Sequence, residues 1–381
     1  MHQRNPSTRE RWLRGTRQLS AIAGLAILPV FAIVTMIRIG IDTGTLAVDF
    51  HHELYRQAVT MLTDTSPPPP RAFDPMHGAF LIWPPLGALV AAPFTVFSLG
   101  TAEVLFAVTG PLCYALALRL LGVRDWRVYG ALGLWPQVVG EVRLSHLTPL
   151  LALLLAAAWR ARERELRSGV WIGLAVGIKL FAWPLIVWLA AIGRRRATSL
   201  AAAIPAVSLL FILPYTGLDE YFHALREVSS VYDQASYTVF GFFVQAGAPD
   251  FVGRAVTIVL VVMLLAATWA YRSFTLAIVT ALVASPIVWL DFFGLAAIPL
   301  AIARPRLSVV WFVPLLTWGL EGAGLEIGDA PGTARLFAVF SVVFAVAFAG
   351  ERAAAAGPQH RRRAPGSALV GRVVPDRSQA L

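Results

Sequence analysis

Two residue types are nearly missing from this chain. Among its 381 residues there is one cysteine, Cys113, and one lysine, Lys179. A single cysteine inside an apolar run excludes an internal disulfide and any cysteine-based metal site, and leaves it a packing role. Charge is also scarce: 14% of residues are ionisable at neutral pH, where an ordinary soluble domain carries about 25%. There is no glycine-rich nucleotide loop, no Walker pattern and no dinucleotide fingerprint, so nothing points to a soluble nucleotide donor bound from the cytoplasm.

Apolar residues are there in excess, at 57%. Apolar runs of about 15 to 22 residues recur from Leu19 to Phe348, the pattern of an all-α polytopic membrane protein. The first run, about 19–39, is too long for a signal-peptide core and no Ala-x-Ala site follows it, so it reads as a retained helix. The net charge of +10 is concentrated in arginine clusters at 4–17, 119–127, 160–167, 194–196, 304–306 and 361–363. In such a chain these mark cytoplasmic loops before they mark nucleic-acid binding. The expected organisation is a cytoplasmic tail at 1–17, one integral domain at 18–350 and a disordered cytoplasmic tail at 351–381, whose Ala/Pro/Arg-rich sequence suits contact with anionic lipid.

An N-terminus held inside by Arg11, Arg14 and Arg17 sends the first helix outward and makes 40–83 an external loop. If Pro84–Leu99 crossed as an ordinary span, the clusters at 124–127 and 160–167 would fall outside. Treating that segment as a short dip or an interfacial piece brings every basic cluster inside. Ten to twelve spans then follow: 18–39, 103–121, 128–141, 146–160, 169–181, 182–193, 197–215, 252–271, 274–290, 292–302, 307–320 and 335–350. Several fall short of the roughly 20 residues a straight crossing takes, so they must be buried among neighbours or border a wet cavity. A second external loop covers 216–251.

This threading collects His51, His52, His77, His146 and His223 on the external face. Asp49, Glu53, Asp74, Glu141, Arg143, Asp219, Glu220, Asp233 and Asp291 join them there. The chemistry, on this reading, is outside. Two external stretches carry apolar residues at helical spacing: Phe50, Leu54, Ala58 and Met61, then Tyr221, Phe222, Leu225, Val228 and Tyr232. Both suit amphipathic helices in the headgroup layer.

Four constellations can carry chemistry. Asp49 suits a helix N-cap, and equally a general base taking a proton from an acceptor hydroxyl, two compatible roles. His51 and His52 beside it can tune it, bind a sugar or simply be polar loop residues. As a metal pair they lack further ligands at fixed spacing, and no metal is expected. Lys179 lies between two short apolar segments, where a compact ammonium suits a phosphate; snorkelling to the interface is the plainer account. In the polar turn Gly140-Glu141-Val142-Arg143-Leu144-Ser145-His146, Arg143 and His146 can bind phosphate and Glu141 sugar hydroxyls. In Ser285-Pro286-Ile287-Val288-Trp289-Leu290-Asp291, a tryptophan and a carboxylate sit at a membrane boundary.

These pieces, in this order, resemble the polyprenyl-phosphate-mannose-dependent α-(1→2)-mannosyltransferases of glycosyltransferase family 87, of GT-C architecture. The family's external Asp-x5-Tyr is matched by Asp49 to Tyr55, and its Tyr-Pro-Pro-Leu element with a later proline by Trp83-Pro84-Pro85-Leu86 and Pro93. Its Gly-Gln-x-Asn turn is replaced by Gly140-Glu141-Val142-Arg143, while its Gly-Leu-Ala-x-x-x-Lys element stands at Gly173 to Lys179. An Asn-x-Ser loop is loosely matched at Asp233-Gln234-Ala235-Ser236. Its Ser-Pro-x-x-Trp-x-His element stands at Ser285 to Asp291, with aspartate in the histidine position. The resemblance covers about 45–300, and its departures open the way to a changed sugar, a changed acceptor or lost activity.

The resemblance implies a bundle of GT-C type and a single inverting displacement on a polyprenyl-phosphate sugar, most simply mannose. The acceptor would be a glycolipid or glycan, and the setting the plasma (inner) membrane. Asp49 would be the base. Lys179, Arg143 and His146 would hold the donor phosphate, and His51, His52, Tyr55, Glu141, Trp289 and Asp291 the sugar or acceptor. No cofactor and no nucleic-acid partner are implied. A transporter or flippase for lipid-linked sugars is the alternative class, and a non-catalytic partner in envelope assembly a third.

Overall fold

The computed structural model describes residues 22–63, 83–214, 217–320 and 328–362. The expected N-terminal tail at 1–17, with Asp74 and His77 of the first external loop, lies outside the described residues. Within them the protein is all-α, with no strand.

Among the described residues four helices are long and apolar enough to cross a bilayer. The first comprises a π-helical turn, Ala23–Ile27, and α1, Leu28–Thr43. After it come a π-helical turn Phe50–Tyr55, α2 (Arg56–Thr63) and α3 (Pro85–Ala91), which runs into a 3₁₀ stretch Ala92–Val96. The second long helix is α4, Leu99–Leu120. The middle of the chain is built from shorter helices: α5 (Trp126–Gly133), α6 (Pro136–Leu144), α7 (Thr148–Arg160), α8 (Glu165–Ile178), α9 (Pro184–Ala191) and α10 (Arg195–Leu210). Then follow α11 (Leu218–Tyr232), α12 (Val239–Gln245), the third long helix α13 (Asp250–Tyr271), α14 (Phe274–Ala284) and α15 (Ala297–Ala303). The fourth long helix, α16, spans Ala330–Arg362.

Several expected spans are therefore broken. Proline explains most breaks: Pro136 and Pro184 each open a helix, and Pro149 stands at the second position of α7. Proline is pre-organised for a helix's first turn but cannot continue the turn before it. The span drawn at 128–141 becomes α5 and α6, bent at Leu134–Trp135. The segment 84–99 holds α3 and the 3₁₀ stretch, from Pro85 to Val96, fewer residues than the roughly 20 a straight crossing takes. The tail expected to be disordered from residue 351 instead continues α16 as helix through Arg362.

The long helices α1 and α13 are only 11% buried, so their apolar side chains, including Phe31, Val34, Ile258 and Met263, face outward toward lipid. The short helices pack inward. α8 lies flush on α10 because Gly169 has no side chain: a Cβ there would stand 2.8 Å from the Ala197 backbone. Small residues at such crossings let backbones approach where the hydrophobic effect between helices is absent. α3 crosses the end of α8 in the same way, with a Cβ at Gly87 only 3.0 Å from the Ile178 carbonyl oxygen. That contact brings the Trp83-Pro84-Pro85-Leu86 element against Lys179, the residue that ends α8. At the other end of the molecule, Glu351 of α16 accepts hydrogen bonds from Ser273 Oγ (2.8 Å) and the Phe274 and Thr275 amides (2.8 and 3.1 Å). A carboxylate on the first amides of α14 satisfies donors that a helix start leaves free.

Candidate active site

The expected amphipathic segment at Asp49–Leu62 is helical, but it is docked on the bundle rather than free. Phe50, Leu54 and Ala58 are buried, and Phe50 stacks on Phe106 of α4 with ring centroids 4.2 Å apart. The chain enters this segment through Ala47, whose left-handed φ of 53° is unusual for a residue with a Cβ. The Ala47 amide donates to the Arg143 carbonyl at the end of α6 (2.7 Å). The end of α6 is itself set by Ser145, also left-handed at φ 58°. Two of the three non-glycine residues with positive φ among the described residues thus meet at one place, and such strain concentrates at functional sites.

That junction delivers Asp49 to His146. Asp49 does not cap a helix with its side chain. Its Oδ2 instead pairs with Nε2 of His146, and Nδ1 of the same imidazole lies 3.2 Å from Oδ2 of Asp291. Asp291 accepts from Thr148 Oγ1 at 2.5 Å. Its position follows from Pro286: the residue before a proline avoids the α region, so α14 ends at Ala284 with Ser285 extended, and the extended stretch leads into a 3₁₀ segment, Leu290–Ala296. Glu141 completes the cluster, and the ligand atoms of Glu141, His146 and Asp291 all lie within 4.8 Å of one another. His146 and Asp291 are buried, whereas the Asp49 side chain keeps 25% of its surface open.

Lys179 is half-buried beside this cluster. Its Nζ lies 3.5 Å from the ring centroid of Phe292 and 4.9 Å from that of Trp83. Among the described residues it makes no ion pair, and aromatic faces hold the ammonium. It nevertheless feels the charges of Asp291, Glu141, Glu53 and Asp49. Glu53, which the sequence reading left out of the site, takes a hydrogen bond from the Trp83 indole (2.5 Å). Burial, and then the neighbouring charge of Asp49, push its carboxyl up to about 7.

The other expected residues lie around this centre or away from it. His51 pairs with Glu103 of α4 (3.1 Å) and stacks on His52. The Tyr55 hydroxyl donates to the Phe97 carbonyl (3.4 Å), and Trp289 packs edge-on against Tyr232. Arg143 contributes its carbonyl, while its half-buried guanidinium has no carboxylate partner among the described residues. His146, expected with the phosphate-binding cations, has both ring nitrogens turned to carboxylates.

Residues 80–299, more than half the chain, match the sequence profile of glycosyltransferase family 87. The chain belongs to that family. No curated protein and no solved structure matches it. As a family 87 protein it is a membrane glycosyltransferase acting on a sugar donor and an acceptor. The match begins after Asp49 and Glu53; both reach the family 87 segment through space, at His146 and Trp83.

Proposed function

We propose that the protein transfers mannose from a polyprenyl-phosphate donor to a glycolipid or glycan acceptor by one inverting displacement. The acceptor hydroxyl attacks the anomeric carbon as the bond from that carbon to the phosphate oxygen breaks. Its proton passes to Asp49, and the polyprenyl phosphate leaves with the bonding electrons. The observation that carries this reading is the Asp49–His146 pair: an accessible carboxylate held by an imidazole, beside a lysine without an ion-pair partner. A carboxylate held at one oxygen and open at its side is fit for general-base work, typically worth about 10²–10⁴-fold. Lys179, with Arg143, is suited to the charge that grows on the leaving phosphate. His51, His52, Tyr55, Glu53 and Trp289 border the approach and are assigned to the sugar and acceptor.

The reaction is assigned to the external face of the plasma membrane, with both tails and the arginine-rich loops in the cytoplasm, because one threading puts every basic cluster inside. Transport and scaffolding have no such support once the chain is a glycosyltransferase.

The test uses membranes containing the wild-type protein or Asp49→Asn, radiolabelled polyprenyl-phosphate mannose and native lipids. Asp49→Asn is expected to lose transfer by at least about 10²-fold while still binding the donor. Transfer at the wild-type rate would remove Asp49 from the reaction, and no labelled product from the wild type would reject this donor.

A further inference from the structure

The centre of the site holds an unusual set of unsatisfied atoms. Both carboxylate oxygens of Glu141, Nδ1 of His146, Oδ1 of Asp291 and the hydroxyl of Tyr114 are buried without a hydrogen-bond partner. Glu141, His146 and Asp291 are 2%, 7% and 1% exposed. Two carboxylates so far from water are strongly unfavourable unless something of opposite charge joins them. Among the described residues no ion pair reaches Glu141, and Lys179 is held over aromatic rings. Orphaned buried atoms that converge on one place call for a water or an ion there.

The donors favour an ion. Nε2 of His146 is turned to Asp49 and Nδ1 to Asp291, so an imidazole that keeps its proton on Nε2 offers the Nδ1 lone pair to a cation between Asp291 and Glu141. A carboxylate on the outer nitrogen is the usual support of a metal-binding histidine. The spacing also fits. Bonds of about 2.1 Å put neighbouring ligands about 3 Å apart and opposite ones about 4.2 Å apart. Here Nδ1 and Oδ2 are 3.2 Å apart and no pair of ligand atoms exceeds 4.8 Å, so small side-chain movements close the shell.

We propose that Glu141, His146 and Asp291 bind one divalent cation of the Mn²⁺/Mg²⁺ class, with open coordination positions toward the space beside Asp49. Two carboxylates and one imidazole suit these cations, with nitrogen ligation favouring Mn²⁺. The functional consequence rests on the phosphate-donor reading above. The carboxylates of Asp49, Glu141 and Asp291 offset the positive charge of Lys179 that an anionic donor needs. A dication reverses that balance and can take a phosphate oxygen directly. The sequence alone suggests no metal, because the resemblance implies none and the His51–His52 pair lacks further ligands at fixed spacing.

The test is direct binding. The full-length protein, purified in detergent and freed of metal with EDTA, is titrated with MnCl₂ while the six-line resonance of free Mn²⁺ is followed. One Mn²⁺ per chain is expected to disappear from that signal. Glu141→Gln and Asp291→Asn, each near-isosteric, are expected to weaken binding by at least about tenfold. Glu163→Gln, which changes an exposed carboxylate paired with Arg194, is expected to leave it unchanged. A wild type that binds no Mn²⁺, or binding that survives in both site variants, overturns the proposal and leaves water or a shared proton between Glu141 and Asp291. Transfer from polyprenyl-phosphate mannose, measured separately with EDTA, distinguishes the two failures. Transfer without Mn²⁺ binding rejects the metal and keeps the donor, whereas binding without transfer keeps the metal and rejects the donor.

Discussion

Nε2 of His146 meets Oδ2 of Asp49, and the two residues reach each other from a docked helical segment and the turn between two short helices. The contact engages one oxygen of Asp49 and leaves a quarter of its side-chain surface open. The same imidazole faces Asp291, so Asp49, His146 and Asp291 form one connected unit.

If His146 serves by orienting Asp49, its removal acts on turnover before binding. His146→Ala is expected to lower kcat by about 10–100-fold with a smaller change in the donor KM. His146→Gln keeps a donor for Asp49 and should retain more activity than the alanine variant. Equal loss in both, or loss confined to KM, would show that Asp49 does not depend on this contact.

Lys179 has aromatic neighbours on its ammonium and no ion-pair partner among the described residues. Lys179→Met keeps the stem and removes the charge. Loss of one charge-assisted hydrogen bond to phosphate is worth about 1.5–3 kcal/mol, or roughly 10–150-fold in kcat/KM. Unchanged kinetics with a polyprenyl-phosphate sugar would leave the lysine a packing role.

Glu53 gives the external loop a pH dependence of predictable sign. Burial and Asp49 raise its carboxyl from 4.5 to about 7 in the folded protein, against the opposing pull of the Trp83 hydrogen bond, His146 and Lys179. Between those two values the folded state binds more protons than the unfolded, so stability falls as pH rises from about 4.5 to 7 and then levels. Thermal unfolding in detergent should show this decline in the wild type and a shallower one in Glu53→Gln. Parallel profiles would assign the decline to other groups.

Sidedness is open to reporter fusions. A reporter joined after Arg196 should be active in the cytoplasmic form and one joined after Gly78 in the external form, because the basic clusters sort to one face. An external Arg196 would invert the site's address without changing its chemistry.

Much of this protein was legible before any coordinates. Apolar runs and clustered arginines determine a polytopic helical membrane protein, because a bilayer demands internally bonded spans and charge selects their direction. The short spans, the piece at 84–99 and the amphipathic character of Asp49–Leu62 follow from the same signals. So does the attention drawn to Asp49, Lys179, Glu141, His146 and Asp291, since ionisable groups rarely stand among apolar neighbours without a task.

Only the tertiary structure decided how those residues combine. Asp49 and His146 are nearly a hundred positions apart, and His146 and Asp291 farther still, so no local periodicity relates them. Their meeting depends on the left-handed turns at Ala47 and Ser145, the extended stretch after Pro286, and the crossing of α3 over the end of α8 at Gly87. The role of Glu53 was hidden for the same reason: in sequence it is one polar residue in an amphipathic helix, and only the approach of Trp83 makes it part of the site. Sequence supplies the charged groups and the membrane supplies the constraint. Packing alone turns separate polar turns into a cluster of three carboxylates around one histidine.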